Sequence, residues 1–344
     1  MAWYFTKRLL LIIPTLAGIT LVSFLILQFV PGGPVDMEIM KYRMGSQSGT
    51  GETGSVSANS SVNIPESALK EIKEFYGFDK PLLTRYGIWL EGIATGNLGK
   101  STFYSEPVTR VIADRFPVSI YFGIIGFLLT YLVCVPLGIM KAVKNGSKFD
   151  FISSFLVFAG YSIPGWAFGA LIIVLLGGGS FLDIFPLGGF VSPDYDNLSF
   201  AGKIIDVIYH TILPVSAYMI SGFATLTILT KNSLIEVLSQ DYIKTAYAKG
   251  LSDRRVIIKH AFRNSLIPLA TGFGHFLSVI LTGSILIEKV FNIPGLGMLA
   301  FDSILNRDYP VSMGILVISS FLMLAGNIIS DILYAAVDPR IRFK

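Results

Sequence analysis

The chain has 344 residues, of which 52% are hydrophobic and only 15% charged, with a formal net charge of +4. A soluble domain of this size normally carries about a quarter charged residues, so composition excludes an ordinary soluble enzyme. The small positive excess gives no reason to invoke a nucleic-acid partner. The single Cys134 excludes an intrachain disulfide.

Six apolar windows reach the roughly 20 residues that a bilayer core of about 30 Å requires. They are Leu9–Val30, Val118–Met140, Phe151–Leu176, Ile208–Leu229, Leu266–Ile287 and Val311–Leu333. The pattern predicts an all-α polytopic membrane protein with six transmembrane helices. Lys7 and Arg8 precede the first window, but it is followed by Pro31-Gly32-Gly33-Pro34 with no small-residue cleavage site, so it reads as a retained helix. Residues 1–30 form this segment, 31–116 an extracytoplasmic cap, and 117–344 a core of five further helices.

Within the cap, 45–63 is almost wholly Gly, Ser, Thr and Asn, too polar to order itself, and predicts a flexible insert. Pro65 opens a helix to about Tyr76 and Leu82–Ile93 forms another. Pro107–Arg115 reads as a short helix with Val108, Val111 and Ile112 on one face, and Pro117 marks entry to the second span. Ala94 to Gly99-Lys100-Ser101 satisfies a loose phosphate-loop pattern, but no strand precedes it, and we reject it.

In the third span, Gly160-Tyr161-Ser162-Ile163-Pro164-Gly165 predicts a bend at the proline. The following outer segment, Gly177–Asp206, carries Phe181, Phe185 and Phe190 and reads as interfacial or re-entrant. Basic residues set the orientation: seven Lys/Arg lie in 231–265 and three in 141–150, against Lys203 alone in 177–206 and Lys289 and Arg307 in 288–310. By the positive-inside rule both termini are cytoplasmic.

The stretch Asp241–Pro268, DYIKTAYAKGLSDRRVIIKHAFRNSLIP, predicts two short helices around a tight turn. Tyr242, Thr245, Ala246 and Lys249 recur at helical spacing, and Gly250 stops the first helix. Ser252 is a candidate N-cap with Asp253 in the following first turn, and Val256–Phe262 carries the second helix. Ala246, Ala248 and Gly250 permit close approach by another backbone, while Arg254, Arg255, Lys259 and Arg263 form a cationic rim. His210, His260 and His275 are scattered, and no Cys/His/Asp grouping has metal-ligand spacing. Tyr161, Ser162, His275 and Asn327 are polar groups in the spans and candidates for a pathway; each also fits interhelical hydrogen bonding. Asp331, near the inner end of the last span, is expected to pair with Arg340 or a loop cation.

Thr245–Pro268 closely resembles the coupling loop of ABC-importer permeases in its dipeptide/oligopeptide version. Lys244 and Thr245 stand where the general motif has glutamate and alanine, as in the peptide branch. Tyr76–Pro81, Gly96–Ser101, Arg115–Ser119, Glu288–Gly297, Asn306–Pro310 and Asp338–Arg342 also resemble that family, and the 45–63 insert with Thr230–Ser233 is similar to its Yej-type (microcin C/peptide) B subunit. The resemblance implies a type I ABC-importer permease in the cytoplasmic (inner) membrane that takes up peptides. It implies a second homologous permease subunit, two ATP-binding subunits or one fused ATPase that bind the ATP and Mg, and an extracytoplasmic peptide-binding protein. No cofactor is expected on this chain. The implied ATPase-coupling residues are Tyr242, Thr245, Ala246, Ala248, Lys249, Gly250, Arg254, Arg255, His260 and Asn264, within 241–265. Nickel or glutathione cargo, and a stand-alone secondary transporter, are the alternative readings.

Overall fold

A computed structural model describes residues 2–29, 79–179, 181–266, 268–269 and 283–337. The helices are α1 (Ala2–Phe29), α2 (Leu82–Ala94), α3 (Val108–Val143), α4 (Lys148–Tyr161), α5 (Gly165–Leu176), α6 (Phe200–Leu238), α7 (Asp241–Ala248), α8 (Ile285–Val290), α9 (Leu296–Leu305) and α10 (Tyr309–Val337). Among the described residues there is no strand, only two isolated bridges, Lys100 with Pro107 and Gly177 with Phe185.

Among the described residues, four stretches are long and apolar enough to cross a membrane: Thr6–Ile26, Val108–Val143, Phe200–Leu238 and Tyr309–Ile332. The pair α4 and α5 makes a fifth if its two halves are one span. The expected span Leu266–Ile287 falls mostly outside the described residues, as do the 45–63 insert and the helix expected from Pro65 to Tyr76.

The chain divides into two compact units, each described on its own. One comprises Ile13–Asp114 and Ala300–Ile318. Its α2 lies against α1: Phe24 contacts the rings of Tyr86 and Trp89, and the Tyr86 hydroxyl donates to the Ala17 carbonyl at 3.1 Å. Fully buried Asp308 accepts from the Ser101 hydroxyl and from the Thr102 and Phe103 N–H groups. Val108, Val111 and Ile112 are buried, as their spacing required. The helix they start does not end at Pro117, however. It continues without a break to Val143, because a proline removes one ladder bond while the apolar residues beyond it demand a continuous helix.

The other unit comprises Met1–Ile12, Arg115–Leu299 and Ser319–Lys344. Its principal core gathers Phe122 from α3, Ile172 from α5, Leu213, Val215 and Ala217 from α6, and Ile287, Phe291 and Ile293 around α8. Phe185 and Phe190 pack against this core, whereas Phe181 stays 83% exposed. The outer segment Gly177–Asp206, expected to be interfacial or re-entrant, turns helical at Phe200, where the Ser199 hydroxyl caps α6 by accepting from the Gly202 N–H.

Small residues set the close helix contacts of this unit. A Cβ on Gly138 would lie 2.6 Å from Thr230 Cβ, and one on Gly165 would lie 2.7 Å from the Ala217 carbonyl. The bend expected at Pro164 is a full break, with α4 and α5 meeting at 96°. Asp331, expected to pair with Arg340 or a loop cation, is instead paired with Arg8 of α1; Arg340 lies outside the described residues.

Candidate functional site

The 241–265 segment is two helical pieces around a turn. In α7 the apolar Ile243 and Ala246 face inward at 1% and 8% exposure. The helix closes in a Schellman arrangement: Gly250 N–H donates to the Tyr247 carbonyl at 2.9 Å and Leu251 N–H to the Ala246 carbonyl at 3.4 Å. Gly250 has φ of +77°, the left-handed region that a Cβ disfavours. The second piece starts with the α turn Asp253–Arg255 and continues as a π-helical stretch over Val256–Phe262, where an ordinary α-helix was expected. Ser252 sits at the N-cap position but its side chain makes no capping bond. Asp253 instead accepts from the Tyr247 hydroxyl across the turn, and partial burial together with that carboxylate raises the Tyr247 phenol above its usual range.

The ends of the segment also meet. Asn264 donates its side-chain amide to the Tyr242 hydroxyl at 2.7 Å, so two residues 22 positions apart close the loop's base. Tyr242, Thr245, Ala248, Lys249, Gly250, Arg254, Arg255 and Asn264 are exposed. His260 is half-buried, and Ala246 is buried. Ala246 therefore serves to seat the loop rather than to face outward.

The seat is an apolar socket in which Ile243, Ala246, Val256 and Ala261 pack with Ala142 of α3 and Leu234 of α6. The Ser233 hydroxyl adds a bond to the Ser265 carbonyl at 3.0 Å. Directly beside Ala142, Lys141 is fully buried. Its ammonium donates to the Ser153 and Ser154 hydroxyls at 2.8 and 2.7 Å and to the Asp150 carbonyl at 3.1 Å, and lies 3.2 Å from the Asp150 carboxylate. Lys231, one turn before Leu234, bonds both oxygens of that carboxylate at 2.8 and 2.7 Å. The Gly146 N–H adds a third donor at 3.1 Å. Led by the bond from Lys231, these donors hold the Asp150 carboxyl down at about 2. Lys141 ends α3 and Asp150 begins α4, the placements that the helix dipoles favour.

About 33 Å of helix rise along α3 separates Lys141 from Ser119, where a second buried carboxylate sits. Glu288 is fully buried and accepts from the Ser119 hydroxyl at 2.9 Å and from the Met298 N–H at 2.9 Å. Ser119 in turn accepts from the Leu296 N–H at 2.7 Å. The carboxylate fits because glycines line it: a Cβ on Gly295 would come within 2.4 Å of its oxygen. The Tyr218 hydroxyl accepts from the Ser284 N–H at 3.1 Å, tying the same segment to α6.

With this geometry in place, comparison with known proteins is decisive. The family described as binding-protein-dependent transport system inner membrane component matches residues 134–343. The chain belongs to this family. Its relatives among the binding-protein-dependent permeases are similar over their full lengths. It is 42% identical to the peptidoglycan transport system permease protein YejB of Agrobacterium fabrum, covering 100% of this chain and 99% of that one. It is 42% identical to the inner membrane ABC transporter permease protein YejB of Escherichia coli O157:H7, covering all of both. It is 36% identical to the oligopeptide transport system permease protein AppB of Bacillus subtilis strain 168, again covering all of both. Together with the apolar helices, these matches make the chain a multi-pass membrane permease.

Among the described residues, the pathway candidates of this permease are not brought into one cluster. Tyr161 and Ser162 are exposed at the α4–α5 break, with the Ser162 hydroxyl bonded to the Phe158 carbonyl at 3.0 Å. Asn327 is half-buried in α10, and among the described residues no hydrogen bond joins it to either. His275 lies outside the described residues. Sequence reasoning missed the roles of Lys141, Asp150, Lys231, Ser119 and Glu288. A basic residue in the last turn of one helix, followed nine positions on by an acidic residue in the first turn of the next, was the readable signal for the first pair. For Ser119 and Glu288, whose positions carried family-like motifs, nothing local indicated that those motifs would meet.

Proposed function

We propose that this permease is one half of a membrane pathway for peptides, oligopeptide or microcin C-like, and that it is driven by ATP hydrolysed on partner subunits. It pairs with a second homologous permease subunit, and substrate crosses between them. Two ATP-binding subunits, or one fused ATPase, bind the ATP and Mg and engage the 241–265 loop at the cytoplasmic face, where both termini also lie. An extracytoplasmic peptide-binding protein delivers cargo to the 31–116 cap. The peptide assignment draws on the relatives, whose names specify peptidoglycan, oligopeptide and dipeptide transport.

The observation that carries this reading is the two-sided build of the 241–265 loop. Its inner face fills a socket on α3 and α6, while Tyr242, Lys249, Arg254 and Arg255 are left exposed. Such an element can take a push on one side and deliver it to two membrane helices on the other.

The test is reconstitution of the whole importer in vesicles, with peptide-stimulated ATP hydrolysis and peptide uptake measured together. Gly250→Trp, and the charge reversal Arg254→Glu with Arg255→Glu, should leave assembly intact and separate hydrolysis from uptake. Uptake by this chain alone, driven by an ion gradient, would overturn the proposal in favour of a secondary transporter. Uptake of nickel or glutathione in place of peptide would leave the mechanism standing and correct the cargo.

A further inference from the structure

Two helix ends and the last turns of a third helix converge on one carboxylate. Asp150 at the start of α4 holds Lys141 at the end of α3 and Lys231 on α6. The side chains of Lys141, Asp150 and Lys231 are 0%, 9% and 17% exposed. Two of these helices also carry the socket for the 241–265 loop, through Ala142 adjacent to Lys141 and Leu234 one turn beyond Lys231. The α3–α4 connection is only four residues long, with Gly146 folded back so that its N–H joins the same carboxylate.

From this convergence we infer that the Lys141–Asp150–Lys231 triad is a strut that makes the cytoplasmic ends of α3, α4 and α6 move as one body when the loop is displaced. Asp150 is the positioning residue at its centre. This rests on the reading that the loop receives the ATPase stroke. An apolar socket alone resists separation but not sliding, because dispersion contacts are non-directional. Bonds from two ammonium groups to one carboxylate fix direction as well as distance. Without Asp150 the two ammonium groups would repel across a dry contact, and each helix end would answer the loop separately. α4 gains most from the strut, because among the apolar residues that line the socket none belongs to α4. It packs on α6 farther along, where Gly160 meets Ile220, but beside the socket its polar links are Asp150 and the two serines that hold Lys141.

The test uses the complete importer in vesicles, with peptide taken up per ATP hydrolysed as the readout. Asp150→Asn should lower that ratio by about tenfold, within the range usual for coupling between sites, while hydrolysis continues. Lys231→Met, which leaves Lys141 and Asp150 as a neutral pair, should lower it by about two- to threefold. Asp150→Glu should restore part of the loss. An unchanged ratio in Asp150→Asn overturns the strut, and so does a loss of uptake strictly proportional to the loss of assembled complex. If Asp150→Asn does not assemble, Lys231→Met decides by the same criterion. The Gly250→Trp and Arg254→Glu/Arg255→Glu complexes run alongside. If they transport normally, the loop reading itself fails; if they uncouple and the Asp150 and Lys231 variants do not, only the strut fails.

Discussion

Asp150 and Glu288 are both buried carboxylates that pin a loop to α3, yet they are built from opposite materials. Asp150 is held by two ammonium groups and one N–H. Glu288 is held by a hydroxyl and backbone N–H groups in a glycine-lined space, with no ion pair among the described residues. The difference lies in what each can tolerate. A carboxylate held by charges depends on its sign, whereas a carboxyl group held by neutral donors depends on shape and on every donor keeping an acceptor. The first kind transmits force in a defined direction, and the second fixes a fold.

Neutralisation with shape retained is the strongest way to break this comparison. Asp150→Asn should destabilise the complex by about 3 kcal/mol, because it leaves buried Lys141 uncompensated. Glu288→Gln should cost about 1–2 kcal/mol, one misdirected hydrogen bond. Thermal midpoints of the purified complexes measure both, and equal losses would refute the distinction. Removing shape instead should reverse the order for Glu288. Glu288→Leu strands the Ser119 hydroxyl and the Met298 N–H, at about 1–3 kcal/mol each.

Acidification sharpens the same contrast. The Asp150 carboxyl titrates near 2 in the fold, against an ordinary 3.8. Its stabilisation is therefore complete above the ordinary value and disappears as pH falls from there through the folded value. The midpoint advantage of the native complex over Asp150→Asn should stay constant at higher pH and shrink steadily over that window. Persistence of the full advantage at the bottom of the window would refute the assigned partners.

Smaller effects are expected in the loop. Gly250→Ala should cost about 1 kcal/mol, because nothing lies within 4 Å of the added Cβ and only the positive φ penalises it. Lys244→Ala should shift stability by less than about 0.5 kcal/mol, since the Lys244–Asp241 pair is 70% and 95% exposed. Hydrogen exchange of the α7 amides distinguishes the two.

Features fixed by neighbours a few residues away were legible in the sequence. Gly250 announced its turn because a helical spacing ran up to it and stopped, and Leu82 to Ile93 announced a helix that extends one residue further, to Ala94. Pro164 announced a bend, but its size depends on Gly165 meeting Ala217 and Ser221 on another helix, which no local pattern encodes. Ser252 looked like a cap because caps are judged by residue type; the Tyr247 hydroxyl took the adjacent Asp253 instead. Lys141 counted in the sequence only as one of three basic residues in 141–150, because burial is a property of the packed helices. Arg8 and Asp331 lie near opposite ends of the chain, so their pairing could not be read from spacing. Pro117 misled for the opposite reason: its local preference was real and was overridden by packing on both sides.

The right-angle turn between α4 and α5 carries one more implication. Helices of 14 and 12 residues rise only about 21 and 18 Å, so neither alone crosses a hydrocarbon layer of about 30 Å. Where the ladder is interrupted at residues 162–164, the Ser162 and Ile163 N–H groups turn back to the Phe158 and Gly160 carbonyls and Pro164 carries none, so the elbow itself covers donors for which acyl chains would offer no acceptor.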